Sequence, residues 1–556
     1  MEKAFARANL EGLSGTYQRY LKNAVEGRVV TRFPPEPSGY LHIGHVKAAC
    51  LNYQYARLYK GRMLMRFDDT NPAKEKTEFE QAILEDLRLL EVVPDAIVRT
   101  SDHFELILAK AAWCIERGLA YCDNTPAEEV NKLREGRKPS PLRDTPVAEN
   151  LRVWARMVAG ECRDYCLRAK IDFRSKNGCL RDPVIFRHCG EPHQATGERY
   201  KVYPTYDFAC PIADAADGVT HALRTNEYAD RNAQYRWFLQ NLELRPVEIE
   251  DYARLDFKYT TLSKRKLGRL VETGWVEGWD DPRFPTLRGI LRRGMQVDSL
   301  VQFMAEQGPS KNATLMEWDR IWATNKKYVE PIAAKFSAIP RDSVARIILD
   351  NLPEDHLHSE QVALHPKNAA LGEKTVVRTR EVLAEEEDVG RLAVGEKFLL
   401  MKWGVCRVTS VGEEGGARVC HAEYLPEETN FKDPVRLHWL PANPQYWLEV
   451  DLIEFAQLLT VEKLEKQKLK EEAYFESIVN KESKFVTRFL AERTVGQLEV
   501  GACLQFERRC YGRVDRKATG EGGPALSIIL IPDGRSKTTS GLSAKVNPKL
   551  VAKGTV

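Results

Sequence analysis

Two segments far apart in the chain carry side chains suited to gripping the phosphates of a nucleotide. The first reads Arg32-Phe-Pro-Pro-Glu36-Pro37-Ser38-Gly-Tyr-Leu-His42-Ile-Gly44-His45. It turns through Pro and Gly and puts two histidines where a helix should begin. A helix start exposes backbone N–H groups and a partial positive charge, so it attracts anions. His42 and His45 would add two ring N–H donors there. Gly44 has no side chain and leaves backbone for a flat adenine to lie against. The second segment, Thr261-Leu262-Ser263-Lys264-Arg265, brings a mobile ammonium, Lys264, able to follow phosphate charge as it moves. The pair implies chemistry on a nucleoside triphosphate.

These residues need elements to hold them. A short strand, Val29–Phe33, precedes the first segment, and the helix it opens should run to about Tyr59, with Gly61 as its stop signal. A second strand, Arg62–Phe67, ends on Asp68-Asp69. A helix with apolar Phe79, Ile83, Leu87 and Leu90 follows. Such alternation argues for a parallel sheet with ligands at the carboxyl ends of its strands. An insertion then spans 102–200, with helices over Asp102–Arg117 and Val147–Ala159, strands around Cys166–Phe173 and Val184–Arg187, and recurrent Arg and Lys. The sheet pattern resumes at Lys201–Phe208 and Val219–Arg224, and helix Glu227–Leu242 completes it. A helical stretch reaches about Lys335. Beyond it short strands such as Val376–Leu383, Lys397–Leu400, Gly404–Val411 and Arg418–Tyr424 suggest barrels or sandwiches. A charged helix is expected over Val461–Asn480, its Glu/Lys run a solvated face. The Ser/Thr/Lys-rich tail after Gly534 reads as loose.

The two phosphate-handling segments resemble the HIGH and KMSKS signatures of class I aminoacyl-tRNA synthetases. The resemblance extends through Arg66-Phe-Asp68-Asp69-Thr-Asn-Pro72, Tyr203-Pro-Thr-Tyr206-Asp207-Phe208, Gly218-Val-Thr-His-Ala-Leu-Arg224-Thr225-Asn-Glu227 and Val276-Glu-Gly-Trp-Asp-Asp-Pro-Arg-Phe-Pro285. It is to the glutamyl/glutaminyl subgroup, and within it to the cytosolic eukaryotic/archaeal glutamyl type, over about Val29 to Gly534. The resemblance implies a Rossmann-like α/β catalytic domain (29–101 and 201–255) behind a lead-in (1–28), and an inserted domain gripping the tRNA acceptor end (102–200). It further implies a helical connecting domain carrying the KMSKS-like loop (256–335) and C-terminal all-β barrels that bind the anticodon (336–556).

The implied reaction has two steps. Glutamate attacks the α-phosphorus of ATP, and the acyl group then passes to the 3′-terminal ribose of tRNA(Glu). The first step needs alignment of two anions and stabilisation of growing phosphate charge more than acid–base work. His42, His45 and Lys264 suit that role, with Mg²⁺ screening the triphosphate. Glu36, Pro37, Ser38, Gly44, Thr225, Arg254, Leu255, Leu262 and Ser263 match the family's other ATP contacts. For L-glutamate, Asp68 would hold the α-ammonium, Arg32 a carboxylate, and Tyr206 lines the pocket. Structural alternatives stand beside these: Arg32 salt-bridged to Glu36, Tyr206 in the core, Arg224 salt-bridged to Glu227, and Asp69 as a turn cap, which is the reading adopted for that residue. Glutamate and glutamine are nearly isosteric, so charge must separate them. Position 224 is Arg, where glutaminyl-type relatives typically carry a small neutral residue. Arg224 thus favours glutamate over a glutaminyl enzyme, intact signatures argue against a non-catalytic tRNA-binding paralogue, and the C-terminal half argues against a truncated base-modifying one.

Bulk properties agree without identifying a substrate. The 556 residues are 43% hydrophobic and 29% charged with a formal net charge of +3, which suits several globular domains and neither demands nor forbids nucleic acid. No run of about 18 apolar residues suggests a membrane span. The N-terminal residues lack the pattern of a secretory or mitochondrial address, so the cytoplasm is expected. The twelve cysteines form no Cys-x-x-Cys pair. Cys162, Cys166, Cys179, His188, Cys189 and His193 come nearest to a zinc pattern, but their irregular spacing favours reduced thiols and no protein metal site. A monomer is expected, with membership of a larger synthetase assembly in doubt because little precedes Val29.

Overall fold

A computed structural model describes residues 21–73, 77–464, 472–518 and 523–534. They form two compact units. One comprises residues up to Asp256 with Leu262–Arg265 and Val301–Leu315; the other comprises Phe257–Thr261, Lys266–Leu300 and Met316 onward.

In the first unit, strands β1 (Val30–Phe33), β2 (Arg62–Phe67) and β3 (Ala96–Arg99) alternate with helices α1 (Ile43–Leu58) and α2 (Thr77–Leu89). The strands pair in parallel, Arg32 opposite Leu64 and Leu64 opposite Ala96. After the insertion come helix α3 (Tyr206–Ala216) and the parallel strands β4 (His221–Thr225) and β5 (Glu248–Tyr252). Thr220 lies just before β4, and its N–H donates to Val30 O at 2.9 Å. That bond sets the two-stranded pair β4-β5 beside the edge of the three-stranded sheet at β1, in the spatial order β3-β2-β1-β4-β5. The order reverses between β1 and β4, and in doubly wound sheets the ligand crevice lies outside the carboxyl ends of the strands at such a point. The three central strands β2, β1 and β4 are buried as parallel strands are: Val30, Leu64, Val219 and Ala222 pack with Tyr235 and Leu239, and Val29, Leu51, Tyr55 and Leu223 form a separate cluster. At the end of α1, Lys60 takes the left-handed conformation (φ 49°). Gly61 serves a different need, because a Cβ there would stand 2.0 Å from Val29 O.

The insertion is an antiparallel sheet of Ala120–Asp123, Cys166–Ala169, Val184–His188 and Val202–Pro204. The stretch expected to resume the parallel sheet at Lys201–Phe208 therefore divides. Val202–Pro204 closes the inserted sheet, and α3 begins at Tyr206. Val202, Tyr203, Phe208 and Phe238 share one core with Phe104, Ile107 and Trp154, so no packing break marks residue 200.

The second unit carries helices Leu287–Arg292 and Trp318–Val329 and two seven-stranded sheets. One runs from Ala334–Phe336 at one edge to Ala338–Pro340 at the other, and the second from Val435–Leu437 to Trp439–Pro441. In both, the two edge strands are consecutive pieces of one chain segment, split at Ser337 and at His438. Each sheet thus nearly closes on itself as a barrel, which leaves little unpaired edge. Separate apolar cores fill them, one around Ile347, Phe398, Val408 and Leu437, the other around Phe336, Val450, Leu504 and Ile528.

Two of the expected elements take a different form in the structure. Val376–Leu383 is not one strand: Glu373–Thr379 pairs in a hairpin with Leu357–Ala363, while Glu381–Glu385 joins a barrel. The helix expected over Val461–Asn480 is, among the described residues, only Glu472–Ser477. Its ends fold back instead, with Leu459, Phe475, Ile478 and Val479 packed on Leu267, Leu270 and Phe284. Thr460 N–H donates to Ile478 O at 2.8 Å. Residues 465–471, with most of the charge run, lie outside the described residues, as do 1–20 of the lead-in and the tail from 535. Among the described residues no helix is long and apolar enough to cross a membrane.

Candidate active site

At the start of α1 the two signature histidines cap the helix. His42 is the N-cap, with extended backbone (φ −110°, ψ 171°). Its Nδ1 accepts from Gly44 N–H at 3.1 Å, and its own N–H donates to His45 Nδ1 at 3.2 Å. This is a capping box built from imidazoles, where Ser or Thr with Glu or Gln usually serve. Because each Nδ1 accepts, the hydrogen-bond network assigns the proton of each neutral ring to Nε2. The rings stack at 3.7 Å. Burial, then the charges of Lys264 and Arg254, lower the His42 pKa to about 3. Burial, His42 and the same two cations hold His45 well below its usual range. Both rings are therefore neutral donors at physiological pH. A Cβ at position 44 would stand 3.0 Å from His42 Cε1, so Gly44 also leaves the His42 ring room to fold over the helix start.

Lys264 opens helix Lys264–Glu272. Its Nζ donates to Ser38 Oγ at 3.1 Å and to Glu36 O at 3.4 Å, while Ser38 Oγ donates to Glu36 Oε2 at 2.9 Å. Burial lowers the ammonium to about 8 against the opposing pull of Glu36. Gly39 faces the lysine stem, where a Cβ would lie 3.2 Å from Lys264 Cδ. Pro37 is buried, Leu262 half-buried and Ser263 exposed. Arg254 pairs with Glu227 at 3.1 Å, Leu255 is buried, and Thr225 stands at the N-cap position of the turn at Asn226–Arg231 without a side-chain capping bond. Two residues not singled out in the sequence position this end. Asp86 accepts from Leu41 N–H at 3.2 Å, and buried Lys47 donates to Ala253 O at 2.7 Å, just before Arg254.

A second group of residues, on or just after β1, β2 and β4, is rich in charge. Burial, then Asp69 and Glu36, push the Asp68 carboxyl up to about 7. The neighbouring Asp69 accepts from Ser101 N–H and Oγ at 2.8 and 2.6 Å, which is a structural occupation. Tyr206 begins α3 with its ring edge-on to Tyr228 at 5.9 Å, and burial raises its hydroxyl well above the usual pKa. Arg32 is fully buried, and the carboxylate it pairs with is Asp214 rather than Glu36, with Nε 3.1 Å from Oδ1. Arg66 also binds Asp214 and donates to Asp217 at 2.8 Å. Two arginines are thus matched by two aspartates. Arg224, only 5% exposed, is not matched. Its Nε and Nη1 are buried without hydrogen-bond partners, and it has no ion-pair partner among the described residues; its guanidinium lies 5.1 and 5.2 Å from the Tyr228 and Tyr235 ring centres. Glu227, considered as a partner for it, pairs with Arg254.

Asp214 escaped the sequence reading, although a signal was there. Tyr206, Cys210 and Asp214 recur every four residues and so share one helix face, and that face points at Arg32: Cys210 Sγ and Asp214 both contact it. Two members of the Cys/His set of the insertion make other contacts, His193 Nε2 lying 2.8 Å from Asp69 O and Cys166 Sγ donating to Asp123 O. Among the described residues no group of three His, Cys, Asp or Glu could hold a metal ion.

Residues 28–331 match the family described as tRNA synthetases class I (E and Q), catalytic domain. Residues 333–425 and 436–515 match two anti-codon binding domains of the same family. The chain is 44% identical over 525 residues to "Glutamate--tRNA ligase, cytoplasmic" of Saccharomyces cerevisiae, covering 94% of this chain and 72% of the relative. It is 40% identical over 530 residues to "Probable glutamate--tRNA ligase, cytoplasmic" of Schizosaccharomyces pombe, covering 95% and 73%. The "Bifunctional glutamate/proline--tRNA ligase" of Cricetulus griseus is 42% identical over 549 residues, covering 96% of this chain and 36% of that one.

Proposed function

This chain belongs to the E and Q family of class I tRNA synthetases, and from that premise we propose that it is a glutamate–tRNA ligase that activates L-glutamate with ATP and charges tRNA(Glu). The single observation that carries the choice of amino acid is Arg224. A buried guanidinium without a carboxylate is costly to keep, and the γ-carboxylate of glutamate would supply the missing partner. The amide of glutamine would leave the charge unmatched. Around that anchor, Asp68 would take the α-ammonium, with Tyr206 lining the pocket and Arg32 offering its remaining N–H edge to a substrate carboxylate.

In the first step the α-carboxylate oxygen attacks the α-phosphorus of Mg·ATP, the P–O bond to the bridging oxygen breaks, and pyrophosphate leaves. The neutral Nε2–H groups of His42 and His45 and the Lys264 ammonium would donate to the phosphates as charge builds. Mg²⁺ enters with its nucleotide. In the second step a ribose hydroxyl of the tRNA 3′ end attacks the activated carbonyl and AMP departs. The anticodon-binding match of the barrels supports reading the anticodon there, since unpaired loops present base edges that proteins recognise. The names of the relatives support a cytoplasmic site of action.

Aminoacylation crossing glutamate and glutamine with tRNA(Glu) and tRNA(Gln) tests the proposal. Charging of tRNA(Glu) with glutamate is expected, and glutamine should not be attached. Preferred attachment of glutamine would instead make the chain a glutaminyl enzyme.

A further inference from the structure

We infer that Asp214 is the positioning residue of the amino acid pocket, fixing Arg32 so that one edge of its guanidinium faces the substrate carboxylate. The inference rests on the glutamate-activating role proposed above and adds a residue which that role does not by itself identify.

Asp214 is completely buried, yet four groups converge on its carboxylate. Arg32 Nε lies 3.1 and 3.3 Å from its two oxygens, Arg66 Nη1 and Tyr235 Oη (2.7 Å) donate to it, and Cys210 Sγ lies at 3.5 Å. Although burial alone would raise its pKa, Arg32 and Arg66 hold it well below the usual carboxylate range, so it stays charged. Arg32 is caught on two sides, because its Nη1 donates to Leu223 O at 3.1 Å. What remains is Nη2, whose partner is the weak acceptor Cys210 Sγ at 3.9 Å. Tyr206 and Cys210 each feel the charges of both Arg32 and Arg224, so the unspent edge and the unmatched cation lie near the same two side chains.

The brace extends outward. Arg66 is held from its far side by Asp217, which also contacts His103 Nε2 at 2.6 Å. Asp214 and Asp217 neutralise Arg32 and Arg66, and that leaves Arg224 as the one guanidinium of the three without a carboxylate. Such a brace has a cost, since well-packed apolar side chains would fill the space with less desolvation. Its return is a guanidinium that cannot turn away from its task, the kind of support that precise positioning requires.

The test is steady-state glutamate activation, with tRNA present, by Asp214→Asn, which keeps the shape but removes the charge. Misplacing Arg32 should lower kcat/KM for glutamate by about 10²-fold while KM for ATP stays within about twofold. The double variant with Arg32→Gln discriminates positioning from bulk stability. If Asp214 acts through Arg32, adding Asp214→Asn to Arg32→Gln costs less than about a further twofold. Should Asp214→Asn not fold, Tyr235→Phe removes one donor to the same carboxylate, and kcat/KM for glutamate should fall by roughly fivefold with KM for ATP unchanged. Multiplicative losses in the double variant, or equal losses for ATP and glutamate, would overturn the inference. So would unchanged glutamate kinetics in Asp214→Asn or, where that does not fold, in Tyr235→Phe. Failure of the wild type to charge glutamate would instead remove the role beneath it.

Discussion

In the proposed reaction the two groups of residues, at the start of α1 and around Arg224, would bind an anion in opposite ways. At the start of α1 most of the donors carry no charge: the histidines are buried to neutrality, while the lysine, lowered to about 8, keeps its ammonium at neutral pH. Donors there can approach a polyanion and adjust as charge shifts from one phosphate to the next. At the amino acid end, charge is fixed and counted: Arg32 and Arg66 are matched by Asp214 and Asp217, and Arg224 is left over. The lesson is that the first end favours a transition state, through interactions that strengthen as the reaction proceeds. The second favours one ground-state substrate over its isostere.

If that division is right, the ends should fail differently. The largest effect is expected from Lys264→Ala. Loss of one transition-state donor should slow ATP–pyrophosphate exchange, measured with tRNA present, by about 10²–10³-fold and leave glutamate affinity nearly intact. An unchanged exchange rate would remove Lys264 from the phosphate end. Next comes His42→Asn, which keeps a good N-cap acceptor but loses the Nε2–H donor. Activation should fall by about 10²-fold with little change in the unfolding midpoint, whereas equal loss of stability and rate would reduce the histidine to a cap.

The pH profile should separate the ends again. With the Asp68 carboxyl at about 7, kcat/KM for glutamate should fall toward tenfold per unit below about pH 7, as the partner of the α-ammonium becomes protonated. With Lys264 at about 8, kcat/KM for ATP should fall above about pH 8. A profile with both limbs on the same substrate would contradict the division. The smallest effect concerns stability. Unfolded histidine takes up a proton near pH 6.5, but folded His42 does not until about pH 3. Stability carried by this group is therefore lost as the pH falls between those values. His42→Asn should relieve up to about 1.4 kcal/mol of loss per pH unit, seen as a flatter acid limb in thermal melts.

Much of the phosphate end could be read in the sequence because it is local. A strand, a Pro/Gly turn and a helix start occupy about thirty consecutive residues, and Lys264 stands in a short signature. The amino acid end was only half legible. Arg224 could be picked out by its charge, but its value depends on which other arginines are already paired, and those pairs join residues some 150 to 180 positions apart. Asp214 lies on a helix face that looks like ordinary core spacing. Barrel closure was hidden for the same reason, since Ala334–Phe336 pairs with Cys503–Phe506 across the whole C-terminal region. Gly61 shows a subtler gap. Its type suggested a helix stop, whereas the left-handed residue is Lys60 and the glycine is needed where α1 comes back against β1.

The most direct measurement is steady-state activation of glutamate and glutamine by Arg224→Cys, with tRNA present and folding verified. Leaving a buried carboxylate without its partner costs about 3–5 kcal/mol, or a fall of about 10²–10³-fold or more in kcat/KM for glutamate. Glutamine brings no charge and should lose far less, so the glutamate-to-glutamine ratio is expected to collapse. An unchanged ratio, with both amino acids weakened alike, would mean that Arg224 supports the fold and does not select the substrate.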